Sequence, residues 1–332
     1  MNEYVLKHKN SDFLVSEQLL LNIEQGKYSY YLLQKSGKST FQCIRELAEM
    51  LEIDQAAIGY AGLKDEDGIT LQHLSIFDKK LDNIRKIDSD NSWFFLTHIG
   101  DGRVPIRIGK LDGNLFEVIV RNLSPSVCTK LSQASGIHKF INYFDTQRFG
   151  LPGFKKLAHK VGHALLNANY DGALLAAWEG GNISDEIYAC YRTNSKAFWE
   201  QNDHRQNNFF LNAYDAYIWN TELSNMLSSL NTNALLYQDD MFAFTFSGGR
   251  QLIVDREQYP IGRHRYQVDN TIKTSLSTRD IFFETTLQIE MLSSDEFFPS
   301  KQCMLLKFFL PSGCYATMLV KQLINQFAED NK

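Results

Sequence analysis

Long apolar runs are missing from this chain: none approaches the ~18 consecutive apolar residues that a membrane-spanning helix needs, so no membrane span is expected. Cysteine is scarce. The five residues Cys43, Cys128, Cys190, Cys303 and Cys314 are odd in number and show no Cys-x-x-Cys spacing. That argues against a disulfide framework or a zinc site and fits a reducing cytoplasm. His8, His73, His138 and His159 share no ligand spacing with cysteines or carboxylates, so no metal site is expected either. The start, Met1-Asn2-Glu3-Tyr4, has no basic segment leading into an apolar one, and no secretory leader is expected. Internal repeats, low-complexity tracts and proline-rich linkers are also missing. A middle domain would therefore be a compact insertion and not a bead on a string. A basic excess is lacking too: 34 Lys and Arg stand against 39 Asp and Glu, for a formal net charge of -5. Taken alone, that balance counts against nucleic-acid binding.

What is present is a globular composition, with 44% hydrophobic and 22% charged residues in 332, enough for two domains with their own cores. Charge is unevenly spread. Lys139, Arg148, Lys155, Lys156 and Lys160 face the single acid Asp145 within one stretch, and Arg256, Arg263, His264 and Arg265 form a second cluster. Either is a solvated face or a local phosphate-binding surface. Residues 39–51 read as a helix, with Phe41, Ile44, Leu47, Ala48 and Leu51 on one face and Ser39 and Gln42 as a capping box. Residues 104–110 and 115–121 alternate around Asp112-Gly113-Asn114 and predict a hairpin. Ser124-Pro125 opens a further helix to about residue 135. Residues 142–150 read as irregular, 154–168, 171–178 and 213–230 as helices, and 241–254 and 282–291 as strands. Strands early and late around a helical middle predict an α+β fold rather than alternating βαβ units.

The most informative segment is Gly62-Leu63-Lys64-Asp65-Glu66-Asp67-Gly68-Ile69-Thr70-Leu71-Gln72. Apolar residues 58–63 and 69–76 predict two strands, with 64–68 as the loop between them. Read only as residues, the loop is also an ordinary Asp- and Gly-rich turn. The pattern Gly-x-Lys-Asp-x-x-x-x-Thr-x-Gln nevertheless resembles the signature loop of the TruD-type tRNA pseudouridine synthases. Four other segments resemble the same family in the same order: Leu6-Lys7 with Asp12-Phe13-Leu14-Val15, Gly113-Asn114-Leu115-Phe116, the run from Asn142 to Gly150, and the run from Leu310 to Thr317.

The resemblance implies a catalytic domain of residues 1–150 plus 283–332 around a mixed, mostly antiparallel sheet, with residues 151–282 as a family-specific insertion. It implies conversion of a uridine in the D arm of tRNA, at position thirteen, to pseudouridine without a cofactor, and no protein partner is implied beside the tRNA substrate. Asp65 takes the motif's nucleophile position and Lys7 that of its cationic partner. An aspartate, with an ordinary pKa of about 3.9, is already anionic at neutral pH and needs no activating base. Tyr315 stands at the active-site aromatic position. Phe144 and Asn142 are expected to position the nucleotide, Arg148 to contact phosphate or brace the loop, and Thr70 and Gln72 to hydrogen-bond the loop that presents Asp65. A base drawn out of its stack needs a replacement aromatic face worth ~1–3 kcal/mol.

Departures from the family pattern are Asp145 for a glycine, expected to put an acid beside the RNA path, Gly68 for an alanine, expected to loosen the loop, and Tyr28 for a histidine. The segment Gly102-Arg103-Val104-Pro105-Ile106-Arg107 is less basic than in some members, which weakens the case for tRNA. Two other readings remain open: a synthase acting on another RNA or a free uridine nucleotide, and a non-catalytic RNA-binding or tRNA-folding protein.

Overall fold

The computed structural model of the protein describes residues 4–78, 80–151, 153–230, 234–238, 241–247, 262–268, 271–277 and 279–328. In chain order it begins with β1 (Phe13–Gln18), β2 (Tyr28–Ser36), α1 (Thr40–Leu51), β3 (Ile58–Tyr60), β4 (Ile69–Phe77), β5 (Ile84–Ile87), β6 (Trp93–Gly102), β7 (Gly113–Leu123), α2 (Pro125–Leu131) and β8 (Gly136–Ile141). There follow α3 (Ala158–Leu166), α4 (Tyr170–Glu179), α5 (Asp185–Tyr191), α6 (Ser195–Gln201), α7 (His204–Leu230), β9 (Ala234–Gln238), β10 (Ala243–Ser247), β11 (Gly262–Val268) and β12 (Thr271–Ser277). The chain closes with β13 (Phe282–Ser294), β14 (Gln302–Pro311) and α8 (Ala316–Ala328). The fold is α+β. Its ten-stranded mixed sheet has the order β5-β6-β2-β4-β1-β7-β14-β13-β8, with β3 also on β4. β1 and β4 run parallel, while β1–β7, β2–β4, β2–β6, β7–β14 and β13–β14 are antiparallel.

By internal contacts the chain forms two compact units, one of residues up to His138 with Glu284–Gly313, the other of Lys139–Phe283 with Cys314–Asp330. In the first, α1 buries Cys43, Ile44, Leu47 and Ala48 against Tyr31, Leu33, Leu74, Ile76, Phe94 and Leu96 of the sheet. The expected cap is present: Ser39 Oγ accepts from the Gln42 N–H at 3.2 Å, and Gln42 Oε1 from the Ser39 N–H at 2.6 Å. Ser124 likewise caps α2, with Pro125 in its first turn. The expected strand at 104–110 does not form. Pro105 lacks an N–H, Ser75 Oγ accepts the Ile106 N–H at 2.9 Å, and the Tyr30 hydroxyl donates to the Val104 carbonyl at 2.8 Å. Both edges of β7 are occupied by β1 and β14, leaving no ladder for a hairpin partner.

The second unit is built on α7, whose Phe210, Leu211, Ala216, Trp219, Leu223 and Leu227 are buried with Val161, Trp199, Phe244 and Phe246. α7 begins at His204, nine residues earlier than the sequence reading, and α5 and α6 were not anticipated. α3 begins at Ala158 and not at 154. Of the strand expected over 241–254, Ala243–Ser247 is β10, and 248–254 lie outside the described residues.

Candidate active site

In the first unit the N-terminal approach to β1 is fixed by charge. Val5 and Arg121 exchange backbone hydrogen bonds at 3.0 and 2.9 Å. The Arg121 guanidinium donates twice to the buried Asp12 carboxylate at 2.7 Å and once to Asp295 at 3.2 Å. Bidentate Arg–carboxylate geometry fixes orientation as well as charge. This anchors the turn in which Lys7 sits at φ 54°, a left-handed conformation unusual for a side chain other than glycine. From it the Lys7 ammonium reaches Asp65 Oδ2 at 2.7 Å and lies 4.4 Å from the centre of the Phe13 ring. The Asp65 side chain keeps 43% of its surface exposed, so an incoming substrate can touch it.

The loop carrying Asp65 is braced from beneath. The Thr40 hydroxyl accepts the Lys64 N–H at 3.0 Å and donates to Gln72 Oε1 at 2.8 Å; Gln72 therefore holds the loop mainly through Thr40. Thr70 does not bond the loop as expected. Its hydroxyl is buried and meets no partner among the described residues. The Lys64 side chain turns away from Asp65 to Glu17, which is buried, at 2.7 Å. Burial works to raise the Glu17 pKa, but hydrogen bonds from His73 and the charge of Lys64 outweigh it and hold the carboxylate below its usual range. A Cβ at Gly68 would lie 2.7 Å from the Phe13 carbonyl oxygen, so the glycine permits a close backbone approach. Lys35 was not anticipated: fully buried in β2, it donates to the Asp65, Lys38 and Lys64 carbonyls at 2.6, 2.8 and 3.4 Å.

The second unit holds Asn142, Phe144, Arg148 and Tyr315, and within it Phe144 and Tyr315 meet. Asn220 of α7 clamps the Phe144 backbone on both sides, accepting its N–H at 2.9 Å and donating to its carbonyl at 2.8 Å. Tyr315, just before α8, meets the Phe144 ring edge-on at 5.9 Å. The Asn142 side chain is engaged within the unit, donating to the Asp280 carbonyl at 3.0 Å and accepting from Arg279 at 2.7 Å. Arg279, also unanticipated, lies 3.9 Å from the centre of the Phe144 ring and so covers one aromatic face. It escaped the sequence reading because Asn142 and Phe144, which it contacts, lie well over a hundred positions earlier. The Arg148 guanidinium stands 5.4 Å from the Phe209 ring, and its buried Nε meets no acceptor among the described residues.

Asp145 is not an acid on an exposed path. It is buried, caps the Thr146 N–H at 2.7 Å and pairs with Lys321 of α8 at 3.1 Å. Burial pushes its pKa up, but the Lys321 charge prevails and holds it below the usual aspartate range. The second basic cluster is largely neutralised: Arg263 pairs with Glu222 at 3.0 Å and Arg265 with Asp215, while Arg256 lies outside the described residues. Among the described residues no three of His, Cys, Asp and Glu gather in a way that holds a metal ion. No described helix is long and apolar enough to cross a membrane.

The sequence model of the family described as TruD, tRNA pseudouridine synthase D, matches residues 3–207, more than half of the chain. The chain belongs to the TruD family. A TruD relative described as "Probable tRNA pseudouridine synthase D" from Thermococcus sibiricus is 33% identical over 196 residues, covering 54% of this chain and 45% of its own length. A second, "Probable tRNA pseudouridine synthase D 1" from Methanococcus maripaludis, is 24% identical with coverage of 96% and 99%. The chain spans less than half the length, 45%, of the Thermococcus relative and of "tRNA pseudouridine synthase D" from Aquifex aeolicus. A solved TruD structure from Methanosarcina mazei shares the fold, with a TM-score of 0.61 at 19% identity over 96% of this chain and 93% of that one.

Proposed function

We propose that this TruD-family protein isomerises a uridine in the D arm of tRNA to pseudouridine, with Asp65 as the attacking group. The observation that carries the reading is the Lys7–Asp65 pair at 2.7 Å on a loop braced by buried groups. An ammonium beside a carboxylate favours its charged form when a bound nucleotide displaces water. The reaction breaks the bond between base nitrogen and ribose, turns the uracil and rejoins it through carbon 5. Substrate and product are isomers, so no electrons are gained or lost overall. Asp65 attacks the sugar or the base, or removes a ribose proton to give a glycal; each route needs a carboxylate held in place.

Tyr315 and Phe144 supply stacking surface for an extruded base. Arg279 covers one face of Phe144, so a nucleotide stacking on that ring would use its other face. Arg148 is the candidate phosphate contact, while Asn142 and Gln72 act by ordering backbone. On this reading residues 1–150 plus 283–332 form the catalytic domain and 151–282 the insertion, whereas by internal contacts residues 139–150 and 314–330 group with 151–282. The net charge of -5 and the paired Arg263 and Arg265 favour a second substrate reading, a free uridine nucleotide. Incubation with unmodified tRNA and, separately, with uridine monophosphate distinguishes them. The C-glycosidic product is expected from tRNA; product from the mononucleotide alone would overturn the tRNA assignment.

A further inference from the structure

We propose that Lys35 is a positioning residue for the reaction, its buried ammonium locking the backbone of the loop that carries Asp65. The inference rests on the synthase reading above. A lysine with no exposed surface normally pairs with a carboxylate, because an unpaired buried cation is costly. Lys35 is bonded to backbone instead: it donates to the Asp65, Lys38 and Lys64 carbonyls at 2.6, 2.8 and 3.4 Å. Two of these belong to the presenting loop and the third to the turn between β2 and α1. An ammonium has three N–H donors and meets three carbonyls; a neutral amine has one donor fewer. A methionine or leucine would fill the same site without desolvating a charge. Sites where a chain keeps a locally unfavourable group are where a functional role is expected.

Proton loss should release the lock. The titratable groups facing Lys35 are the Cys43 thiol of α1 and, from the loop, Asp65, Glu66 and Lys64. Burial dominates over the acids and brings the Lys35 pKa down to about 8. Wild-type kcat on tRNA is therefore expected to fall on the alkaline side with a midpoint near pH 8.

The test compares wild type with Lys35→Met in steady-state kinetics and in amide hydrogen exchange. In Lys35→Met, kcat falls on the order of 100-fold with KM for tRNA little changed, since a displaced catalytic group costs rate and not binding. The alkaline limb disappears. Protection of the Lys64 and Gly68 amides, both hydrogen-bonded in the loop, drops relative to that of β4. A folded variant with wild-type kcat, an unchanged alkaline limb or unchanged loop protection overturns the proposal. If Lys35→Met does not fold, loop protection in the wild type across pH 8 decides: constant protection refutes the lock. Exchange needs no activity, so a wild type that leaves every uridine unchanged would refute the synthase reading while the lock is still judged.

Discussion

At the residue scale, Lys7 combines one backbone cost with one contact. Its left-handed backbone at φ 54° costs on the order of 1–3 kcal/mol, and its ammonium is tied to Asp65. Lys7→Gly should therefore raise the unfolding midpoint or leave it unchanged while lowering kcat sharply; a Lys7→Gly protein with full activity would remove Lys7 from the mechanism. Gly68→Ala should act differently. The added Cβ meets the Phe13 carbonyl oxygen at 2.7 Å, so the loop must shift, and reduced turnover with near-native circular dichroism is expected. Wild-type turnover in Gly68→Ala would show that the loop accommodates the methyl. Asp65, Lys7, Phe144 and Tyr315 were singled out by resemblance to the family's motifs, and the structure adds that Lys7 pairs with Asp65 and Tyr315 meets Phe144. Lys35 was not singled out: by residue type a lysine reads as an exposed position, and only the fold shows carbonyls closing around it.

At the element scale, the helix starts that the chain announces locally are the ones that formed. Ser39 with Gln42 and Ser124 with Pro125 start helices because a side-chain oxygen or a fixed φ satisfies the first turn without outside help. The segment 104–110 failed because its backbone groups bond Ser75 and Tyr30, which are distant in sequence. α7 was read short because it is buried around much of its circumference, Asn207 and Asp215 included, which erases the amphipathic stripe. The Asp145–Lys321 pair joins the run of Asn142, Phe144 and Arg148 to α8, the helix that follows Tyr315. Lys321→Met alone leaves a buried carboxylate without its cation and should cost ~3–5 kcal/mol. Adding Asp145→Gly removes the stranded charge and should recover most of that in denaturant midpoint. A double variant no more stable than Lys321→Met would contradict this account of the departure from the family's glycine.

At the scale of the whole molecule, charge sets the acid limit of stability. His159, stacked on Tyr217, is pushed down to about 4 from 6.5, chiefly by burial and then by the Lys160 charge. The unfolded chain takes up this proton first, so stability is lost as pH falls from 6.5 toward about 4. Below that, Glu17, Asp145 and Asp295, all held under their usual ranges by cations and N–H donors despite burial, lose their contribution as pH drops through their folded values. Thermal unfolding of His159→Phe should depend less on pH between 6.5 and 4 than wild type; identical slopes would exclude His159 as the cause.

The most direct test of the central claim is single-turnover conversion of a tRNA transcript, with pseudouridine mapped base by base, by wild type and Asp65→Asn at matched RNA binding. The account predicts conversion of one D-arm uridine by the wild type and none by Asp65→Asn. Conversion by Asp65→Asn at the wild-type rate would contradict it.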